Sequence, residues 1–225
     1  MQNYCAQLGD GPTNSLWCLI YDFQTLLTGL AAIAIALLTL IPIWKQLRDS
    51  NLQARISHRE TLASILRAGL RRFEKVEEAM REPLSAAWRE THDPVGDPTK
   101  IGAEAAHYLE QVFNRVLDWY LVVLAGTEHV LIEAEKAKLK TALSELVETL
   151  GDAHWADHND QQQDEVFIPD EEWTEIKTRC AAAKIDAAAK VSAVRSAFHD
   201  LRTAQDNWTR SLREGIARLD RQITE

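Results

Sequence analysis

The strongest constraint in this sequence is a stretch without charged residues, 23–44. As an α-helix it would be about 33 Å long at 1.5 Å per residue, close to the hydrocarbon thickness of a bilayer, about 30 Å. Its interior, 26–41, consists of Leu, Ile and Ala apart from two threonines and one glycine. Trp17 and Tyr21 precede the stretch and Trp44 ends it, at the positions of interfacial aromatic anchors. The sequence therefore predicts one transmembrane helix over 23–44.

Two other interpretations of this stretch are weaker. Buried helices of soluble proteins seldom remain uncharged for more than five turns. A cleavable signal peptide needs basic residues ahead of its apolar run, whereas the first Lys or Arg in the chain is Lys45. A lipoprotein signal needs a small residue before its cysteine, and Trp17 precedes Cys18. We therefore expect a membrane anchor, with a kink at Pro42 in its last turn.

Basic residues follow the apolar stretch and predict its orientation. Lys45, Arg48, Arg55 and Arg59 all come after it, and none comes before it. By the positive-inside rule, 1–22 is a short extracytoplasmic segment and the remaining chain is cytoplasmic. The same four side chains are candidates for contact with anionic lipid headgroups, although they could equally serve only to set topology and solvate the helix.

Charge is distributed unevenly along the 225 residues, whose net charge is −9. The segment 45–72 carries seven basic and two acidic residues, whereas 73–225 carries 18 basic and 30 acidic residues. A basic band beside an apolar stretch, followed by an acidic body, is unlike a nucleic-acid-binding protein, in which the basic surface lies on the folded domain. The expected partners are a lipid bilayer and a protein, which includes a second copy of the chain, and no nucleic acid.

The segment 21–63, YDFQTLLTGLAAIAIALLTLIPIWKQLRDSNLQARISHRETLA, resembles the N-terminal part of a known group of proteins. These are uncharacterised single-span inner-membrane proteins of proteobacteria and their prophages. They share a Tyr/Phe-Gln-Thr-Leu start, a Gly-Leu-Ala core and a basic, Gln-containing exit. The resemblance implies a bacterial inner (plasma) membrane protein with one span, and it implies no catalytic residue.

Apolar residues after the span recur at spacings of three and four, which is typical of amphipathic helices. They predict a basic juxtamembrane helix over 45–82, ending near Glu82 ahead of a proline-rich stretch, and a helical bundle over 99–225. The acidic stretch from Gly151 to Trp173 is expected to be a loop. No segment alternates as a strand does, so we predict an all-α fold: one N-terminal transmembrane helix followed by an elongated three- or four-helix bundle with coiled-coil character.

The last helix of this bundle, predicted over 170–223, has the most regular pattern in the chain. Pro169 followed by three acidic residues marks its start, since acids oppose the positive end of the helix dipole. Its seam keeps the 3/4 spacing for more than six heptads. The seam consists of Trp173, Ile176, Cys180, Ala183, Ala187, Val191, Val194, Phe198, Leu201, Gln205, Trp208, Leu212, Gly215 and Leu219. The pattern leaves open whether this seam packs within the chain or between chains.

Few residues suggest chemistry. His154 and His158 lie four apart among aspartates and could bind zinc, but the surrounding polar residues favour a solvated turn. Cys5, Cys18 and Cys180 are too scattered for a zinc site or a disulfide framework, although the first two could pair on an oxidising side. The sequence contains no phosphate-binding glycine loop and no nucleophile motif. We expect no cofactor, no catalytic residue and no enzyme activity.

Three functions are compatible with this pattern. The first is a membrane-anchored interaction or scaffold protein that holds a cytoplasmic coiled-coil body at the inner membrane. The second is a signalling or transport-associated membrane subunit. The third is a phage-type pore- or lysis-related membrane protein, for which a large cytoplasmic body is a poor match.

Overall fold

The computed structural model describes residues 23–121, 129–159 and 168–224. Four α-helices account for nearly all of these residues, and no strand occurs among them, so the predicted all-α class is confirmed for the described part of the chain. A short π-helical segment, Val116–Tyr120, directly continues the second helix. The helices are α1 Gln24–Thr91, α2 Ala103–Arg115, α3 Val130–Asn159 and α4 Asp170–Thr224.

The chain divides into two units, 1–58 and 59–225. The described part of the first unit is the N-terminal half of α1, and its apolar side chains from Leu30 onwards are exposed. The second unit contains the C-terminal part of α1 together with α2, α3 and α4. Its core is built from the seams that the 3/4 spacing predicts.

Helix α1 continues to Thr91, so the prediction that it ends near Glu82 is wrong. Pro83 has no backbone N–H and cannot donate to the turn before it. The helix nevertheless continues because its buried seam does: Met80 and Ala87 are both fully buried, on either side of the proline. Burial on both sides of Pro83 outweighs the loss of one hydrogen bond.

The chain reverses direction immediately after α1. The Thr91 hydroxyl donates to the Ala87 carbonyl at 2.7 Å, in the last turn of the helix. One carboxylate oxygen of Asp93 then accepts hydrogen bonds from the backbone N–H groups of 95–97, with a distance of 2.7 Å to the nitrogen of Gly96. Gly96 has φ 99°, a left-handed conformation that suits glycine. These contacts form the tight turn that leads towards α2.

Helices α1 and α4 are antiparallel within the second unit, because contacts that advance along α1 recede along α4. Successive contacts along α1 are the Arg59–Asp220 ion pair (2.8 Å), the approach of Gly69 to Trp208 and the stacked rings of Phe73 and Phe198, with centroids 6.5 Å apart. Helices α3 and α4 are antiparallel as well, as shown by the ion pairs Glu145–Lys190 (3.0 Å) and Asp152–Arg179 (3.2 Å). Helices α2 and α3 also run antiparallel, since His107 lies beside His158 and Glu110 lies beside Gly151. The four segments therefore alternate in direction as in an up-down-up-down bundle.

The long α4 begins and packs as the sequence predicts. Its first residue is Asp170, and the Trp173 N–H donates to the Pro169 carbonyl at 2.9 Å. The predicted seam is buried from Trp173 to Gln205 except at Ile176 and Phe198, and it becomes partly exposed towards the C-terminus.

Helix α3 extends to Asn159, so the expectation of a loop from Gly151 is wrong for 151–159. The buried seam of α3 continues through alanines, which are inconspicuous in the sequence because polar residues surround them. Ala153 and Ala156 are buried, and the Cys180 thiol of α4 donates to the Ala153 carbonyl at 3.0 Å. The predictions for 1–22, including pairing of Cys5 with Cys18, and for 160–167 of the expected loop lie outside the described residues.

Candidate functional site

The N-terminal half of α1 contains the one stretch, among the described residues, that is long and apolar enough to cross a membrane. Its mean hydropathy is 1.9 over the most apolar window, and the described part of the chain buries none of that window. Ile33 and Leu38, for example, are 61% and 65% exposed. The Thr28 and Thr39 hydroxyls bond back to helix carbonyls at 2.6 and 2.8 Å, so these polar side chains are satisfied within the helix. The stretch is therefore long and apolar enough to cross a membrane.

The basic residues that the sequence marks for lipid contact differ in their surroundings. Lys45, Arg48 and Arg55 are exposed on α1. Arg59 is half-buried in the second unit, where its guanidinium Nε donates to the Asp220 carboxylate at 2.8 Å. A headgroup phosphate would have to compete with that carboxylate for Arg59, and lipid contact by the other three stays a prediction.

Four polar side chains of α2 and α3 meet on one side of the bundle, and we call them the histidine cluster: His107, Glu110, His154 and His158. His154 Nε2 lies 2.6 Å from Glu110 Oε2, within hydrogen-bond distance. His107 Nδ1 lies 3.5 Å from His154 Nε2 and 3.9 Å from Glu110 Oε2. These three residues can offer one ligand atom each, all within 4.8 Å of one another.

His158 extends the cluster by one helical turn. Its ring lies 5.1 Å from that of His107 and 6.1 Å from that of His154, measured between centroids. On the outer side of His107, the Gln111 amide nitrogen lies 2.9 Å from Nε2 of the imidazole. An amide can present either its oxygen or its nitrogen, so Gln111 can pair with either tautomer of His107.

Gly151 of α3 faces the Glu110 carboxylate, and a Cβ added at Gly151 would lie 3.4 Å from Glu110 Oε1, at van der Waals contact. His154 is buried, and its Nδ1 has no hydrogen-bond partner among the described residues. Of the cluster, His154 is thus buried and His107 and Glu110 are partly buried between two helices, whereas His158 is exposed at its edge.

The sequence identified only half of this cluster. His154 and His158 were recognised from their spacing, but in an expected loop; the structure places both on α3. The sequence assigns no role to His107 and Glu110, because a histidine beside acids on a helix is usually solvated and their partner His154 lies 44 or more residues later in the chain. Their one local signal is the His-x-x-Glu spacing, which puts both on one face of α2.

Comparison of the chain with models of protein families, with curated proteins and with solved structures finds no match. The resemblance to single-span inner-membrane proteins thus rests on 21–63 alone.

Proposed function

We propose that this chain is a membrane-anchored helical scaffold protein, with no catalytic activity of its own, that holds its bundle at the inner face of a bacterial inner membrane. The observation that carries the proposal is the exposed apolar stretch of α1, whose most apolar window contains no residue buried by the described part of the chain. Leaving so much apolar surface in water is unfavourable by about 25 cal/mol per Å², and a bilayer removes that cost.

The proposed orientation, with 1–22 outside and the bundle in the cytoplasm, is supported by the basic residues after the stretch. The proposed membrane is supported by the resemblance of 21–63. Anionic headgroups at the cytoplasmic face would attract Lys45, Arg48 and Arg55, each by about 1 kcal/mol at the surface.

The scaffold role is supported by aromatic side chains on the outside of the bundle. Tyr108 and Trp119 are 60% and 71% exposed, about three turns apart along α2 and its π-helical continuation. Exposed aromatic residues are enriched where proteins bind one another. A protein partner, or a second chain paired through coiled-coil seams, would cover this surface.

In-cell cross-linking of the full chain, followed by mass spectrometry of membranes, tests this proposal. We expect cross-links to a defined partner or to a second copy, and we expect Tyr108→Ser with Trp119→Ser to reduce them. Ile185→Ser on α4 is the matched control, since Ile185 is also exposed. A chain that is monomeric in membranes and yields no specific cross-link would refute the scaffold role.

Two further experiments separate the alternatives. A scaffold tolerates replacement of 23–44 by an unrelated membrane span, whereas a signalling or transport-associated subunit would lose its function. Expression of the full chain should leave cells viable; rapid loss of membrane potential would instead support a pore- or lysis-related protein.

A further inference from the structure

The histidine cluster combines three imidazoles and one carboxylate from two helices, which is the chemistry of a zinc site. We propose that His107, Glu110, His154 and His158 bind one divalent transition metal ion of the zinc class, which clamps α2 to α3. Imidazole nitrogen and carboxylate oxygen are both common zinc ligands, and four protein ligands make a closed, structural site. This inference is independent of the proposed membrane role.

The distances between potential ligand atoms fit such an ion. Zinc bonds of 2.0–2.1 Å in a tetrahedron put neighbouring ligand atoms about 3.4 Å apart. The observed separations are 3.5 Å between His107 Nδ1 and His154 Nε2, and 3.9 Å from His107 Nδ1 to Glu110 Oε2. Only the hydrogen-bonded pair of His154 and Glu110, at 2.6 Å, has to separate, and rotation of the carboxylate does this.

His158 lies outside the group of three ligand atoms within 4.8 Å of one another, but its ring is close enough to join them by rotating. Three imidazoles around one tetrahedral zinc have centroids about 5 Å apart by the same bond lengths. The centroids of His107 and His154 are 4.6 Å apart. The centroid of His158 lies 5.1 Å from that of His107 and 6.1 Å from that of His154. His158 is exposed, so its side chain can rotate towards the ion without displacing other groups.

Proton positions also allow the ion to bind. Zinc needs the lone pair of His154 Nε2, which is available when the ring proton is on Nδ1. That tautomer leaves the buried Nδ1–H of His154 without a hydrogen-bond partner among the described residues, a cost that coordination of the ion would have to offset. Gln111 can accept a hydrogen bond from His107 Nε2 through its amide oxygen, which leaves Nδ1 of that ring unprotonated.

Zinc titration of the full chain in detergent tests the proposal. The protein is purified without a histidine tag and stripped with a chelator, and binding is followed by calorimetry and by the melting temperature. We expect one ion per chain and a melting temperature that rises with zinc. His107→Gln, Glu110→Gln and His158→Gln should each weaken binding at least about tenfold, since even residues that only orient ligands have that effect.

The control is His199→Gln, which removes an exposed helical histidine from α4, away from the cluster. It should keep wild-type affinity. Helical circular dichroism and melting without metal show whether each variant folds. The proposal is overturned if the wild type binds no zinc, or if folded His107→Gln and Glu110→Gln bind zinc as the wild type does. Unchanged affinity in His158→Gln alone would overturn the closed four-residue site.

Discussion

Gly69 of α1 lies directly against the indole of Trp208 of α4. A Cβ built on Gly69 would be 2.5 Å from Cζ3 and 2.7 Å from Cη2 of that ring, closer than carbon atoms can approach. Trp208 belongs to the seam that the sequence predicts for α4, and Gly69 is buried. The absence of a side chain at this position therefore allows the large ring of Trp208 to pack between the two helices.

Gly69→Ala should destabilise the bundle. The methyl group forces the indole ring to move, and overpacking typically costs about 1–3 kcal/mol, more than the 0.5–1 kcal/mol that alanine gains in a helix. Gly215→Ala is the matched control in α4: its Cβ meets Leu62 at an ordinary 3.5 Å, so it should stabilise the chain by about 0.5–1 kcal/mol. Denaturant unfolding measured by helical circular dichroism compares them, and equal effects would refute the steric role of Gly69.

Gln205→Met should stabilise the bundle. Gln205 is 1% exposed in the α4 seam, and neither its amide oxygen nor its nitrogen has a hydrogen-bond partner among the described residues. An unsatisfied buried polar group costs about 1–3 kcal/mol, and the unbranched apolar side chain of methionine has a similar length. A melting temperature above that of the wild type is expected. Gln205→Glu, which would bury a charge, should lower it; a rise with Glu would contradict this assignment.

The Lys190–Glu145 pair should make stability depend on alkaline pH. The hydrogen bond to Glu145, aided by the charge of that carboxylate, raises the pKa of Lys190 above its ordinary value of 10.5. Because the folded pKa is the higher one, the stabilisation is complete below the ordinary pKa and is lost as pH rises through the folded pKa. Both side chains are partly exposed to solvent, so the contribution of the pair is at most about 1 kcal/mol.

Melting curves of the wild type and Glu145→Gln should therefore differ near neutral pH and converge above the pKa of Lys190. Glu148→Gln removes the same charge one turn further along α3, at a residue with no hydrogen bond to Lys190. It should cost less stability. A difference between wild type and Glu145→Gln that persists at high pH would exclude the ammonium group as its cause.

Aspartates in the apolar stretch should release the chain from membranes. Ile33→Asp with Ile35→Asp places two charges near the middle of the span, each costing about 2.5–3.5 kcal/mol in the bilayer. Flotation of membranes from cells expressing each form measures the effect. Ile33→Leu with Ile35→Leu should float as the wild type does. Continued flotation of the double aspartate form would show that another part of the chain holds it at the membrane.

The spacing of apolar residues along the sequence predicted the buried face of a helix wherever that spacing is regular. The 3/4 repeat predicted the buried seam of α4 from Trp173, and Pro169 with the acids after it predicted where that helix begins. Local signals failed at helix ends. Pro83 suggested an end for α1 and Gly151 suggested one for α3, yet burial of Ala87 and of Ala153 keeps both helices intact. Tertiary packing outweighs local propensity there.

The sequence by itself determined that the described chain is helical, that one stretch is apolar enough to span a membrane, and which face of each helix is buried. These properties depend on composition and on spacing within a helix, which the order of residues contains. Only the tertiary structure decided that His107 and Glu110 meet His154, and that Gly69 faces Trp208. Such contacts depend on how antiparallel helices align with one another, and the spacing of apolar residues along one helix does not specify the alignment with its neighbour.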